Sequence, residues 1–125
     1  MENENHPQAL CYIGDSYEKL KKNTLALQYY RKARAIDPAF SESWYGMANL
    51  MYNQGYFYEA MYYIRKAMNL RKSQPDYLFL AAQIYADLEF YEEAVNFLNE
   101  LLVIDTEDEE AREFLQTIEN KRNDK

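Results

Sequence analysis

Sliding the sequence against itself by thirty-four residues brings like onto like along most of its length. Leu10, Trp44 and Leu78 coincide, as do Ile13, Met47 and Ala81, then Gly14, Ala48 and Ala82, then Tyr17, Met51 and Tyr85. Further along, Ala26, Ala60 and Ala94 fall together, followed by Tyr30, Ile64 and Leu98, by Ala33, Ala67 and Leu101, and by Ile36, Leu70 and Ile104. The register holds across three copies without a slip. A fixed period of this length calls for one supersecondary unit repeated and stacked, because a single unit cannot bury its own apolar face.

Within each half of the unit the apolar residues recur every three or four positions, as on one face of a helix. The halves meet at short polar breaks such as "KKNT" and "NQGY", so each unit reads as a helix hairpin. Three Gly and three Pro in 125 residues leave few backbone breakers, which favours long helices. Pro7 and Pro75 sit where first turns are expected, and a missing N–H costs nothing there. Glu59, Glu92 and Glu93 open second helices, whereas "KLKK" and Arg71-Lys72 close helices, each matched to the helix dipole. Thr106 and Glu109 have the spacing of a capping box for a last helix. In that helix Ala111, Phe114, Leu115 and Ile118 form one apolar face, and Arg112, Gln116 and Glu119 fall where earlier units carry Trp44, Ala48 and Met51. This is the pattern of a terminal cap with one dry and one wet face.

The pattern resembles the tetratricopeptide repeat, whose signature W-x2-L-G-x2-Y, then A-x3-F, then P, recurs every 34 residues. The likeness covers roughly residues 7 to 108. The first copy keeps Gly14, Tyr17, Ala26, Tyr30, Ala33 and Pro38 but has Leu10 in place of Trp. The second keeps Trp44 and the turn glycine Gly55, with Lys72 where the closing Pro belongs; the third has Ala82, Leu101 and Thr106 for Gly, the second small residue and Pro. The resemblance implies an all-α, right-handed superhelical solenoid of antiparallel helix hairpins, with about seven helices. The expected layout is an N-terminal loop over 1–6, repeat units at 7–40, 41–74 and 75–108, and a capping helix with a polar tail over 109–125, all in one domain. "ENENHPQAL" looks like the loop that joins one unit to the next, so the chain reads as part of a longer array.

Composition excludes several functions. Lys and Arg total 14 against 21 Asp and Glu, a net charge of −7, which disfavours nucleic acid and anionic membranes as partners. The basic pairs Arg31-Lys32 and Arg65-Lys66 recur in register, but the third unit has Asn99-Glu100 there, so no continuous stripe forms. The apolar residues form no run of 18 or more and the start "ENENHPQ" is no secretion signal, so a cytoplasmic location is expected. One His (His6) and one Cys (Cys11) supply no orienting group or oxyanion donor, and the three glycines are too scattered to cradle a phosphate. "DTEDEE" resembles an acidic calcium loop but lacks the glycine at its sixth place. No catalysis, no metal and no cofactor are expected.

In the tetratricopeptide family the first helices of the units line a concave ligand face. The positions that the resemblance places there are Tyr12 and Asp15 in the first unit, Glu42, Tyr45, Asn49 and Tyr52 in the second, and Asp76, Phe79, Gln83 and Asp87 in the third. Gln8, Cys11, Glu18, Lys19, Gly46, Asn53, Leu80 and Ala86 occupy further positions of the same face. The set is aromatic, amide-bearing and acidic, which suits a protein or peptide with basic and apolar residues. Family members that hold a chaperone's C-terminal carboxylate use a clamp of Lys, Arg and Asn. This chain has Cys11, Asp15, Gly46, Asp76 and Leu80 at those places, so such a terminus is not expected to bind. The competing roles are a structural spacer that self-associates through its N-terminal hairpin, and a regulatory segment of a larger enzyme or sensor.

Overall fold

The computed structural model of the protein describes residues 6–124. Among these residues there are seven α-helices and no strand: α1 (Pro7–Lys19), α2 (Asn23–Ile36), α3 (Ser41–Asn53), α4 (Phe57–Leu70), α5 (Pro75–Asp87), α6 (Tyr91–Ile104) and α7 (Glu109–Asn123). The fold is all-α and tetratricopeptide-like, with α1, α3, α5 and α7 starting at Pro7, Ser41, Pro75 and Glu109. Of the N-terminal loop expected over 1–6, only His6 lies within the described residues, where it caps α1 from the β region.

The period of the sequence is carried into the backbone most clearly at the hairpin turns. Lys21, Gly55 and Glu89 all have positive φ, at 61°, 87° and 64°. Each lies one period from the next, and each sits in the same hydrogen-bonded turn. Lys22 N–H donates to the Tyr17 carbonyl at 2.9 Å, Tyr56 N–H to Met51 at 2.9 Å and Phe90 N–H to Tyr85 at 2.8 Å. One residue earlier, Lys21, Gly55 and Glu89 donate to Glu18, Tyr52 and Ala86. This double bond pattern is the Schellman ending, which satisfies the last carbonyls of a helix and reverses the chain in three residues. Only the second turn uses the residue type for which the left-handed conformation is free of strain.

The chain divides into two compact units, one through Leu70 and one from Arg71. In the first, α1 packs on α2, α3 on α4, and α3 also meets α1 and α2. Its core holds Leu10, Cys11, Ala26, Tyr30, Ala33, Met47 and Leu50, flanked by half-buried rings including Tyr17, Tyr29, Trp44 and Tyr63. Trp44 is pinned on three sides: its Nε1–H donates to the Pro38 carbonyl at 2.8 Å, Arg34 lies 5.2 Å over its ring, and Tyr63 is 6.1 Å away. In the second unit α6 packs on both α5 and α7. Leu78, Ala81, Ala82 and Ile84 of α5, Ala94, Leu98 and Leu101 of α6, and Ala111 and Ile118 of α7 are buried. Arg112 and Gln116 face water, with Phe114 and Leu115 half-buried.

One expected detail is corrected. The cap of α7 is Asp108, whose side chain accepts from Ala111 N–H at 3.0 Å, and Thr106 lies two residues outside it. The turn over residues 105–108, closed by Glu107 N–H on the Asp105 carboxylate, brings Asp108 rather than Thr106 to the helix end.

Candidate functional site

A cleft of roughly 430 Å³ opens between α1 and α3 within the first unit. It is lined by Asp15, Glu18 and Lys19 of α1 and by Tyr45, Asn49 and Asn53 of α3. On α3 the spacing of four residues stacks Tyr45, Asn49 and Asn53 along one helix face, and on α1 Asp15 with Glu18 and Lys19 does the same. The two faces meet because α1 and α3 are first helices of successive 34-residue repeats and pack side by side.

The floor of the cleft is tied to the core through Tyr30 of α2. Its ring is fully buried between the backbones of α1 and α3, where Gly14 and Gly46 leave room for it. Its hydroxyl lies 2.6 Å from Asp15 Oδ1 and 3.0 Å from Glu18 Oε1. The other oxygen of Glu18, Oε2, accepts from Asn49 Nδ2 at 3.1 Å and from Asn53 Nδ2 at 2.9 Å. One carboxylate thus joins three helices. Burial, the largest influence, raises the pKa of Glu18 above its ordinary value, and Asp15 adds to the rise; the hydrogen bonds from Tyr30, Asn53 and Asn49 oppose it. Burial and the two facing carboxylates likewise push the Tyr30 phenol far up, so it remains a neutral donor.

Of the ten residues expected on the ligand face, the cleft brings together Asp15, Tyr45 and Asn49. Tyr12 stands exposed on α1, accepting from Gln8 Nε2 at 2.8 Å, outside the cleft lining. Glu42 is half-buried in the first turn of α3, where its charge contributes to raising the Cys11 thiol. Tyr52 packs its ring 5.6 Å from Phe57, across the turn to α4. In the second unit, Asp76 and Asp87 are exposed at the two ends of α5 and Gln83 is half-buried. Phe79 is partnered within that unit by Phe114 of α7 at 5.5 Å. Glu18, Lys19 and Asn53 share the expected face and line the cleft, and their part in it follows from the same helical spacing.

Nothing in this arrangement activates the His6 and Cys11 pair. Cys11 is buried, and desolvation first, then Asp15 and Glu42, push its thiol up to about 12, away from the thiolate that nucleophilic chemistry needs. Among the described residues no group of three or more His, Cys, Asp or Glu is placed to hold a metal ion, and no helix is long and apolar enough to cross a membrane.

The fold has counterparts among solved structures. The first tetratricopeptide domain of Spaghetti (RPAP3), bound to the HSP90 peptide SRMEEVD, superposes with a TM-score of 0.89 at 21% identity, covering 94% of this chain and 93% of that one. The Arabidopsis OM64 tetratricopeptide domain gives 0.87 at 18% identity, over 95% and 98%. YrrB, a tetratricopeptide protein with an unusual peptide-binding site, gives 0.84 at 20% identity, over 94% of this chain and 60% of that one. No curated protein matches the sequence significantly. Residues 7–40 match the family model for the tetratricopeptide repeat, and residues 24–101 match that for anaphase-promoting complex, cyclosome, subunit 3. With helix hairpins in a repeating register, Schellman turns one period apart and these matches over most of its length, the chain belongs to the tetratricopeptide-repeat family.

Proposed function

We propose that the protein is a non-catalytic protein-interaction module, which holds a segment of a partner carrying basic and apolar residues in the cleft between α1 and α3. The observation that carries this reading is the cleft itself: an aromatic wall, Tyr45, beside two carboxylates and two amides, on helices braced by a buried tyrosine. Tyr45 offers broad contact area with only two side-chain torsions to fix, the property that makes tyrosine an effective anchor at interfaces. Asp15 and Glu42 in this unit favour a Lys- or Arg-bearing ligand through encounter rate and discrimination.

Two solved relatives are described with peptides or a peptide site, one of them with the HSP90 peptide SRMEEVD. The acidic HSP90 terminus is not the ligand proposed for this chain. At the positions that the family resemblance assigns to carboxylate-holding cations or amides, the first unit has Cys11 and Asp15 on α1 and Gly46 on α3. Lys19 is the one cation lining the cleft, and it is exposed beside Asp15 and Glu18.

The test is capture of binding proteins on the immobilised chain from cell extract, in parallel with a Tyr45→Ala, Asn49→Ala double variant whose helicity is confirmed by circular dichroism. A protein retained by the native chain and lost from the variant supports the reading. Equal retention by both transfers the function to another surface, such as a self-associating hairpin, and contradicts it.

A further inference from the structure

We propose that Glu18 sets the hydrogen-bond polarity of the α1–α3 cleft, so that it accepts the cationic N–H group of a partner, a guanidinium or ammonium, and turns a carboxylate away. This rests on the reading of the cleft as the binding site and deepens it by naming the residue that decides the ligand's chemistry.

Donor counting fixes how the two amides are turned. A carboxylate oxygen only accepts, so the atoms of Asn49 and Asn53 that face Glu18 Oε2, at 3.1 and 2.9 Å, are amide nitrogens. With each nitrogen held on the floor, each amide oxygen is left to face outward. No buried side-chain nitrogen or oxygen among the described residues lacks a partner, so the unbonded Asn49 oxygen reaches solvent, and Asn53 is exposed. Asp15 has spent one oxygen on Tyr30 and keeps the other. The oxygens left free at the cleft, one on each asparagine and one on Asp15, are all acceptors, and Lys19 at its exposed edge is the cationic donor among the lining residues.

Each asparagine retains a second N–H, but it sits on the same nitrogen as the bond to Glu18. An anion drawn to it meets the carboxylate of Glu18 and that of Asp15, whereas a cation finds carbonyl and carboxylate oxygens. The turn of the amides survives protonation. Tyr30 has one proton for two carboxylates, so a proton taken by Glu18 belongs on Oε1, facing the Tyr30 oxygen, while Tyr30 donates to Asp15. Oε2 then remains a carbonyl acceptor for both amides. The raised pKa of Glu18, caused first by burial, agrees with that shared proton.

Glutamine at position 18 reproduces this neutral state, with Nε2 toward Tyr30 and Oε1 toward the asparagines. Methionine fills similar space and cannot hold the amides. The experiment is a heteronuclear NMR titration of the full chain and of its Glu18→Gln and Glu18→Met variants, with acetyl-arginine methylamide and with acetylglycinate. The arginine probe is expected to move the Asn49 and Asn53 side-chain NH2 resonances and the Tyr45 amide in the native chain, and acetylglycinate to leave them in place. Glu18→Gln, which turns the amides the same way but lacks the charge, loses less of that preference than Glu18→Met, which loses about tenfold, the effect of turning one acceptor into a donor. Equal response of the native chain to both probes, or an unchanged preference in Glu18→Met, overturns the role of Glu18 while leaving the cleft a site. If neither probe moves any cleft resonance in the native chain, the cleft reading fails with it.

Discussion

A β-carbon on Gly46 would lie 2.5 Å from Cε1 of Tyr30, and one on Gly14 would lie 2.7 Å from the same atom. The ring cannot retreat, because it is fully buried and its hydroxyl is held by Asp15. Gly14→Ala and Gly46→Ala are each expected to cost about 1–3 kcal/mol of overpacking strain, measured by urea denaturation. Because the ring braces the cleft floor, both substitutions should also weaken partner binding.

The three Schellman turns provide an internal comparison. Gly55→Ala places a β-carbon on a residue with φ of 87°, where nothing lies within 4 Å to clash, so the cost is conformational, about 1 kcal/mol. Lys21→Gly relieves the same strain at φ of 61° and should shift stability in the opposite direction by a smaller amount, since glycine also loosens the unfolded chain. Thermal midpoints of the two variants, moving to opposite sides of the native value, are the expected result.

Glu18 links stability to pH with a sign opposite to that of a salt-bridged carboxylate. Its pKa is raised on folding above the ordinary value of 4.5, chiefly by burial, so between that value and the raised one the folded state binds more proton than the unfolded. Its contribution is full below 4.5 and is lost as pH rises through the folded value. Glu18→Gln removes this loss. The variant should be more stable than the native chain at neutral pH, with the difference shrinking as pH falls toward 4.5. Denaturation at a series of pH values reads it directly.

Cys11 should be inert in the folded protein. It is 3% exposed and its thiol is pushed up to about 12. A thiol reagent at neutral pH is expected to label it only after denaturant opens the first hairpin, with a labelling rate that follows unfolding.

The repeating unit and its helix starts were legible in the sequence, because close packing of hairpins forces small or apolar residues to recur at fixed places. The cap of α7 was not, since Thr106 and Asp108 both suit a cap and only the turn between them decides. The face shared by the first helices was legible, whereas the cleft between α1 and α3 was not. Helical spacing and family resemblance put Asp15, Tyr45 and Asn49 on that face, yet could not tell that Phe79 meets Phe114 or that Tyr52 meets Phe57. Such pairings depend on how helices pack together. Glu18 had the right spacing and an ordinary identity; its role appears only when Tyr30, Asn49 and Asn53 converge on it. Gly46 stood out as a missing clamp residue, whereas its place in the structure is as the space for Tyr30.

The most direct test of the interaction account is the affinity of the captured partner segment for three forms of the chain: native, Tyr45→Ala and Tyr62→Ala. Tyr45 lines the cleft, while Tyr62 lies exposed on α4 against Tyr63 and Lys66. Loss of the cleft tyrosine should weaken binding by about thirtyfold, as expected of an interface anchor, with the α4 variant within about twofold of native. The opposite order, with Tyr62→Ala damaging and Tyr45→Ala silent, would place the partner on α4 and contradict the account.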